Sequence, residues 1–312
     1  MNESWGIKVN KKLGDMLKVM TLHNGLIIKR GLDAKDLEEI KKLSEICNEY
    51  EKIEVKLNWE MLQSRPKKEE NDFLYYENGV LVGFFGLYVF NSREAEIGGM
   101  VLPDARRKGI FQTLLAQAIE EVKSRGIPNL LFVVDNNAKS GPLFVKAQVD
   151  TQYTFSEYCM VLNEAKPQPK RFEDVIVRKA KPEDANFIVD CMEVAFKLPK
   201  GDVKSERFYQ PDTRAFLVVK GQEKVGVLSV QIGDEGAFIF GFCLLPEYQG
   251  QGYGRQALSE IVQTLLKEGE TRQFLDVACE NKRALELYQD CGFVVIGSND
   301  YFAKQLGSYQ KS

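Results

Sequence analysis

Histidine is almost absent from this chain: His23 is the only one among 312 residues. A Ser-His-Asp or Cys-His nucleophilic site would have to be built on that residue, which lies in a polar stretch and reads more simply as a surface or turn histidine. The six cysteines (Cys47, Cys159, Cys191, Cys243, Cys279 and Cys291) contain no C-x-x-C pair, and beside one histidine they do not supply a zinc cage. They read as free thiols, which points to a reducing, cytoplasmic setting. No apolar run approaches the roughly 18 residues of a membrane span, and the first residues lack the short apolar core of a signal peptide. Charge of one sign is not in excess either. Lys and Arg number 42 against 45 Asp and Glu, a net charge of −3, which speaks against a dedicated nucleic-acid binder. Apolar residues make up 44%, enough for packed cores and too much for a disordered chain.

What is present is a repeat. Phe73-Leu74 followed by Val80–Gly83 recurs as Phe216-Leu217 followed by Glu223–Gly226. At nearly constant spacing, Leu102-Pro103 returns as Leu245-Pro246, Gly109 as Gly252 and Asn137 as Asn281. Units this long are whole duplicated domains rather than turns of a solenoid. The boundary falls where Pro167 and Pro169 exclude both a helix and a central strand. Residues 1–165 are thus read as an N-terminal domain, 166–174 as a linker and 175–312 as a C-terminal domain. In each unit a short strand precedes a helix opened by acidic capping residues (Asp33–Asp36; Pro182–Asp184). A hairpin and a third strand follow, then a glycine-containing turn, an amphipathic helix, a strand, a short helix and a last strand that closes the unit. Strands come first as a meander and then alternate with helices, so the class is α+β with a mixed sheet.

The chemistry is concentrated in two stretches of the second unit. Leu245-Pro246-Glu247-Tyr248-Gln249-Gly250-Gln251-Gly252-Tyr253-Gly254 joins an apolar strand to an amphipathic helix. Its glycines permit close backbone approach, and a helix N-terminus presents unpaired N–H groups with partial positive charge, the elements of a phosphate or pyrophosphate site. An ordinary glycine turn is the competing reading. A Rossmann fingerprint fails because Arg255 stands at its third glycine, and a Walker loop fails for want of G-K-[ST]. The second stretch is Asn281-x-x-Ala284-x-x-x-Tyr288-x-x-x-Gly292-Phe293. Taken alone, Asn281 is a helix cap and Tyr288 a core aromatic.

Together these stretches resemble the GCN5-related N-acetyltransferase (GNAT) superfamily: Gln249, Gly252 and Gly254 match its Q/R-x-x-G-x-G/A signature, and Asn281–Phe293 its second pattern. The resemblance spans Val175 to Leu306. It implies two tandem GNAT-like domains, each a mixed, splayed sheet flanked by helices, and acetyl-CoA as acyl donor to an amine acceptor. It further implies that Cys243, Leu244 and Leu245 give backbone contacts to pantetheine and thioester. Gln249, Gly250, Gln251, Gly252, Tyr253 and Gly254 would hold the pyrophosphate, Asn281 would contact the cofactor, and Tyr288 would lie near its sulfur as the catalytic acid. The reaction so implied is direct attack of a neutral amine on the thioester carbonyl. Acceptors would bind near Val194–Gln210 and Val294–Tyr301.

The first unit resembles the family with departures. Phe111 replaces the last glycine of the turn, Phe144 stands at the position of Tyr288, and the run Arg106–Lys108 reads equally as a phosphate attractor or a solvated turn. Conversely, Glu96 occupies a position where family members often carry a general base, while its counterpart is Ile239. The first unit is therefore read as degenerate and the second as catalytic, its base drawn from Asp234, Glu235 or a water chain. The rival reading is a non-catalytic acyl-CoA-binding or partner-binding protein on the same scaffold.

Overall fold

The computed structural model describes residues 23–65, 67–167 and 171–307. Residues 1–22 and the linker residues Gln168, Pro169 and Lys170 lie outside them. The first half runs β1 (Gly25–Lys29), α1 (Ala34–Glu51), α2 (Trp59–Ser64), β2 (Asp72–Glu77), β3 (Val80–Val89), β4 (Glu94–Val101), α3 (Ile110–Ser124), β5 (Asn129–Asp135), α4 (Ser140–Lys146) and β6 (Thr151–Leu162). The second half runs β7 (Val175–Lys179), α5 (Ala185–Ala195), β8 (Thr213–Lys220), β9 (Glu223–Gly233), β10 (Gly236–Leu244), α6 (Tyr253–Glu268), β11 (Gln273–Ala278), α7 (Lys282–Cys291) and β12 (Phe293–Gln305). This is the repeated α+β plan expected from the sequence.

Local chemistry explains the repeated starts. Asp33 accepts from the Asp36 N–H at 2.9 Å while the Asp36 carboxylate accepts from the Asp33 N–H at 2.9 Å, a reciprocal cap for α1. Asp36 also receives Lys29 from β1. In the second half Asp184 plays both parts, accepting from the Lys181 N–H at 2.9 Å and from Arg178 of β7 at 2.7 Å. The Arg178 guanidinium holds the Asp184 carboxyl well below the usual carboxylate range. Each pair ties the first strand of its unit to the helix entry. Between β2 and β3, Asn78 and Gly79 both have positive φ (53° and 79°), the left-handed pair that a tight hairpin turn needs.

Among the described residues all twelve strands belong to one sheet, in the order β1-β2-β3-β4-β5-β12-β6-β11-β10-β9-β8-β7. The sequence reading has each unit closing on its own last strand, and here the structure differs. β12 pairs with β5 of the first half, and β6 pairs with β11 of the second. The two exchanged strands then pair with each other, antiparallel, from Phe293↔Leu162 to Lys304↔Thr151. Because the units are duplicates, β6 and β12 present equivalent edges, and alternation of residue types does not say which copy accepts which strand.

Helices cover both faces. On one, α3 buries Leu114, Leu115, Ala118 and Val122 against Phe73, Phe85, Ile97 and Phe132. Its counterpart α6 buries Leu258, Ile261, Val262 and Leu265 against Leu228, Val230 and Leu275. On the other face α1 packs Ile40, Leu43 and Cys47 over Leu74, Phe84 and Met100, and α5 packs Ile188 and Cys191 over Leu217 and Val227. In both halves the central parallel pair separates. β4 and β5 are paired only as far as Ile97↔Phe132, and β10 and β11 only from Ala237↔Gln273 to Phe238↔Phe274. Among the described residues no helix is long and apolar enough to cross a membrane.

Candidate functional site

From Ile239 onward β10 has no β11 partner, so main-chain groups along that edge face the gap between the strands. A bulge between Phe240 and Cys243, with Gly241 at φ 59°, turns the strand as it leaves. Leu244 is back in register with Gly226, and the Leu245 N–H donates to the Val225 carbonyl at 2.9 Å. Cys243, Leu244 and Leu245 therefore line the end of the gap that leads into the glycine turn.

The turn itself is shaped for an anion. Gly250 (φ 77°) and Gly252 (φ 94°) adopt the left-handed conformation that other residues enter at a cost of about 1 kcal/mol. Gly252 caps α6 without a side-chain hydrogen bond, and the first turn of the helix carries no acidic residue. Its N–H groups and dipole are thus left for an external partner. Gln249 donates to the Leu244 carbonyl at 2.9 Å and Gln251 to the Glu247 carbonyl at 2.7 Å, so both amides fasten the turn. Tyr253 is buried and turned away, its ring edge-on to Phe172 at 4.9 Å. A Cβ on Gly252 would stand 3.2 Å from the Phe172 ring, and one on Gly254 would stand 3.1 Å from Leu287 and 3.5 Å from Phe242.

Arg283 was not singled out by the sequence reading. It is exposed in the first turn of α7, and its guanidinium lies against Gly250, where any Cβ would collide with it. A cation two residues after the Asn281 cap was the available signal. Asn281 itself accepts from the Ala284 N–H at 3.2 Å and caps α7, which is the role its position alone suggests. Tyr288 comes from the same helix and is 9% exposed, with Phe293 edge-on at 6.4 Å. Its hydroxyl has no hydrogen-bond partner among the described residues. Burial pushes its ionisation up to about 12, with Cys243 and Cys291 adding to the rise. The group is a phenol that donates and does not ionise near neutrality.

The proposed bases are elsewhere. Asp234 is exposed, and Glu235 lies at the end of β10 away from the turn, its carboxyl raised by burial and by Glu54 and Glu60 of the first half. The acceptor segment 194–210 is partly used between the units: Asp202 accepts from the Ser92 hydroxyl at 3.0 Å, and Arg207 covers the Phe90 ring at 5.3 Å. Tyr301, placed by sequence near the acceptor, is 1% exposed on the exchanged β12.

The first unit has the same turn with different contents. Arg107 sits at φ 66°, as Gly250 does, and Gly109 caps α3 as Gly252 caps α6. The basic run is mostly engaged, since Arg106 bonds Glu51 and the Val101 carbonyl and Lys108 pairs with Glu77 at 3.5 Å. A cavity of about 630 Å³ occupies the gap between β4 and β5. Phe111 and Phe144 line it, in edge contact at 4.4 Å, and Asn299 of the exchanged strand contributes to its wall. Beyond lies a half-buried charge cluster. Lys56, between α1 and α2, is 2.7 Å from Asp276 and 3.4 Å from Glu157, and it donates to the Tyr301 hydroxyl at 2.9 Å.

Burial pushes the nearby Glu96 carboxyl up to about 7 from its ordinary 4.5, against the pull of Lys56. The folded state therefore keeps a proton that the unfolded chain releases, and stability falls as pH rises through that interval. Glu96→Gln should remove this loss. Its melting advantage over the parent is expected to grow between about pH 4 and about pH 8, by on the order of 2–3 kcal/mol. An advantage independent of pH would mean that Glu96 ionises as it does in water.

Comparison with known proteins adds a family to this geometry. The acetyltransferase (GNAT) family model matches residues 37–148 and again 185–293. The chain is 35% identical over 78 residues to the "[Ribosomal protein bS18]-alanine N-acetyltransferase" of Escherichia coli K12, a match covering 25% of this chain and 53% of that protein. It thus spans about half the length of the curated relatives it matches. A GCN5-related N-acetyltransferase from Sphaerobacter thermophilus superposes with a TM-score of 0.74 at 18% identity, covering 94% of this chain and 99% of that one. A tandem GNAT protein from the clavulanic acid biosynthesis pathway gives 0.68 at 16% identity, covering 91% and 99%. At these identities the two structures show a shared fold.

Proposed function

We propose that this chain, which belongs to the acetyltransferase (GNAT) family, transfers an acetyl group from acetyl-CoA to a primary amine of a small molecule or peptide. The reading assigns catalysis to residues 175–312 and treats residues 1–165 as a degenerate copy. One observation carries it: the glycine turn without a side-chain cap, the open edge of β10 and the Tyr288 hydroxyl, which has no hydrogen-bond partner among the described residues, belong to one strand–turn–helix unit and the helix packed beside it. Bound acetyl-CoA would supply an activated acetyl thioester. The N–H groups following Gly250 and the Arg283 guanidinium hold the pyrophosphate. The main chain from Cys243 to Leu245 offers the pantetheine arm the hydrogen-bonding edge that β11 leaves open. Tyr288 directs its O–H towards the sulfur and strengthens that bond as charge develops there.

The donor site is tested by calorimetry with acetyl-CoA. Arg283→Ala removes an exposed guanidinium that makes no hydrogen bond or ion pair among the described residues, so the fold should survive while the dissociation constant rises roughly 10-fold, about 1.4 kcal/mol. Unchanged affinity would take the pyrophosphate off this turn. Catalysis is tested by thiol release with a panel of amines. Ile239 at the usual base position and the remoteness of Glu235 favour a second reading, a non-catalytic acyl-CoA-binding protein. Tight binding without thiol release for any amine would establish it.

A further inference from the structure

Among the described residues one pair of cysteine sulfurs is in contact. Cys191 on α5 and Cys243 on β10 have their Sγ atoms 3.7 Å apart, sharing one thiol hydrogen between them. Elsewhere Cys291 sits beside the Ser259 hydroxyl at 3.6 Å and Cys159 beside the Asn299 amide at 3.2 Å. The place of the pair matters more than its existence. Cys243 follows the bulge of β10, which lies just past the point where the strand parts from β11, and the neighbouring Met192 of α5 puts its methyl 3.0 Å from where a Cβ on Gly241 would lie. One turn of α5 therefore rests directly on the strand segment that opens the gap. Cys191 is 1% exposed, and Cys243 is partly open to solvent. A disulfide requires the sulfurs to close to about 2.05 Å, a movement of under 2 Å between two elements already packed together.

We propose that Cys191 and Cys243 form a reversible disulfide, a modification site that fastens α5 to the bulge of β10 and so shuts the acyl-transfer gap. The oxidant is a hydroperoxide. One sulfur takes the terminal peroxide oxygen to become a sulfenic acid, releasing the alcohol, or water from hydrogen peroxide. The second sulfur displaces the sulfenic hydroxyl, which leaves as water with the remaining thiol proton. Two hydrogens are lost from the protein and one peroxide bond is reduced. A dithiol reductant reverses the change by exchange. Closure matters because the splayed gap works only while the bulge can adjust around the pantetheine arm. The effect on turnover rests on the acetyl-transfer reading above, whereas formation of the disulfide does not.

The experiment treats the full-length protein with hydrogen peroxide, maps its peptides by mass before and after dithiothreitol, and measures thiol release in parallel. Expected is a cross-linked peptide joining Cys191 to Cys243, with turnover reduced at least 5-fold and restored by dithiothreitol. Cys191→Ser should keep the reduced enzyme's turnover and lose its peroxide sensitivity. Oxygen added to single cysteines without the cross-link overturns the proposal. A complete cross-link with unchanged turnover overturns the closure of the gap. A reduced protein that turns over no amine counts against the acetyl-transfer reading, while the peptide map still decides the disulfide. Should Cys191→Ser fold poorly, Cys191→Ala serves in its place.

Discussion

Lys56→Met is expected to cost about 3 kcal/mol of stability, the low end of what removing one partner from a buried ion cluster costs. The side chain is 22% exposed, which lets some water in and keeps the figure from the upper end. The loss comes less from the missing attraction than from what remains. Asp276 of β11 and Glu157 of β6, both half-buried, would face each other without the cation between them, and the Tyr301 hydroxyl of β12 would lose the donor at 2.9 Å. Burial and the facing carboxylates push the Tyr301 phenol well above its usual range, so it stays a neutral donor to Glu157. Burial works against the charge on Lys56, but Asp276, Tyr301, Glu157 and Glu96 together outweigh it and hold the ammonium above its ordinary value. The stability it gives is therefore fully present at neutral pH and is lost only as pH rises past the ordinary lysine range. Urea denaturation of the single variant and of Lys56→Met with Asp276→Leu measures the effect, and the double change should recover part of the loss. A midpoint unchanged in the single variant would mean that the cluster is solvated and contributes little.

Tyr288→Phe should lower turnover roughly 100- to 1000-fold while leaving the dissociation constant for acetyl-CoA nearly unchanged. The ring still packs with Phe293, and the hydroxyl has no partner to abandon among the described residues. With the phenol pushed up to about 12 and a thiol near 8.5, full proton transfer to the departing sulfur would be uphill by roughly 5 kcal/mol. The hydroxyl contributes a hydrogen bond that tightens in the transition state, and its removal acts on turnover rather than on binding. Single-turnover rates across pH separate this from a limit set by amine deprotonation. A variant with near-normal rates throughout would reduce Tyr288 to a core aromatic.

The parts of the molecule legible in the sequence are those written in neighbouring residues. The Asp33–Asp36 cap, the Asn78-Gly79 hairpin and the buried stripes of α3 and α6 each follow from spacing within a turn or two. The glycine turn is legible for the same reason, since φ at Gly250 and Gly252 is a local demand. Arg283 was missed because its significance lies in reaching across to Gly250 from another helix. The family resemblance sets Tyr301 near the acceptor, whereas its burial on β12 between β5 and β6 depends on a strand pairing that no local signal specifies. Once Glu96 is counted, the Lys56 cluster joins the α1–α2 connection to four strands, β4, β6, β11 and β12, from both halves. No motif records it, because nothing about Lys56 in its own neighbourhood marks it for burial.

The crossed closing strands also set an order of events in folding. Residues 23–162 hold nearly everything the first half needs, except that the edge of β5 waits for β12, at 293–305. That edge is a row of unpaired main-chain groups until residues 293–305 have been synthesised, while β6 is complete early and must wait for β11. Such contacts, far apart in sequence, form late and carry a large loop-closure cost. During that interval β5 and β6 are open templates, and another copy of the same chain offers them equally good strands. The duplication therefore joins within one molecule strands that two copies could exchange between them. Holding both units on one short linker gives the intramolecular partner its advantage through effective concentration alone.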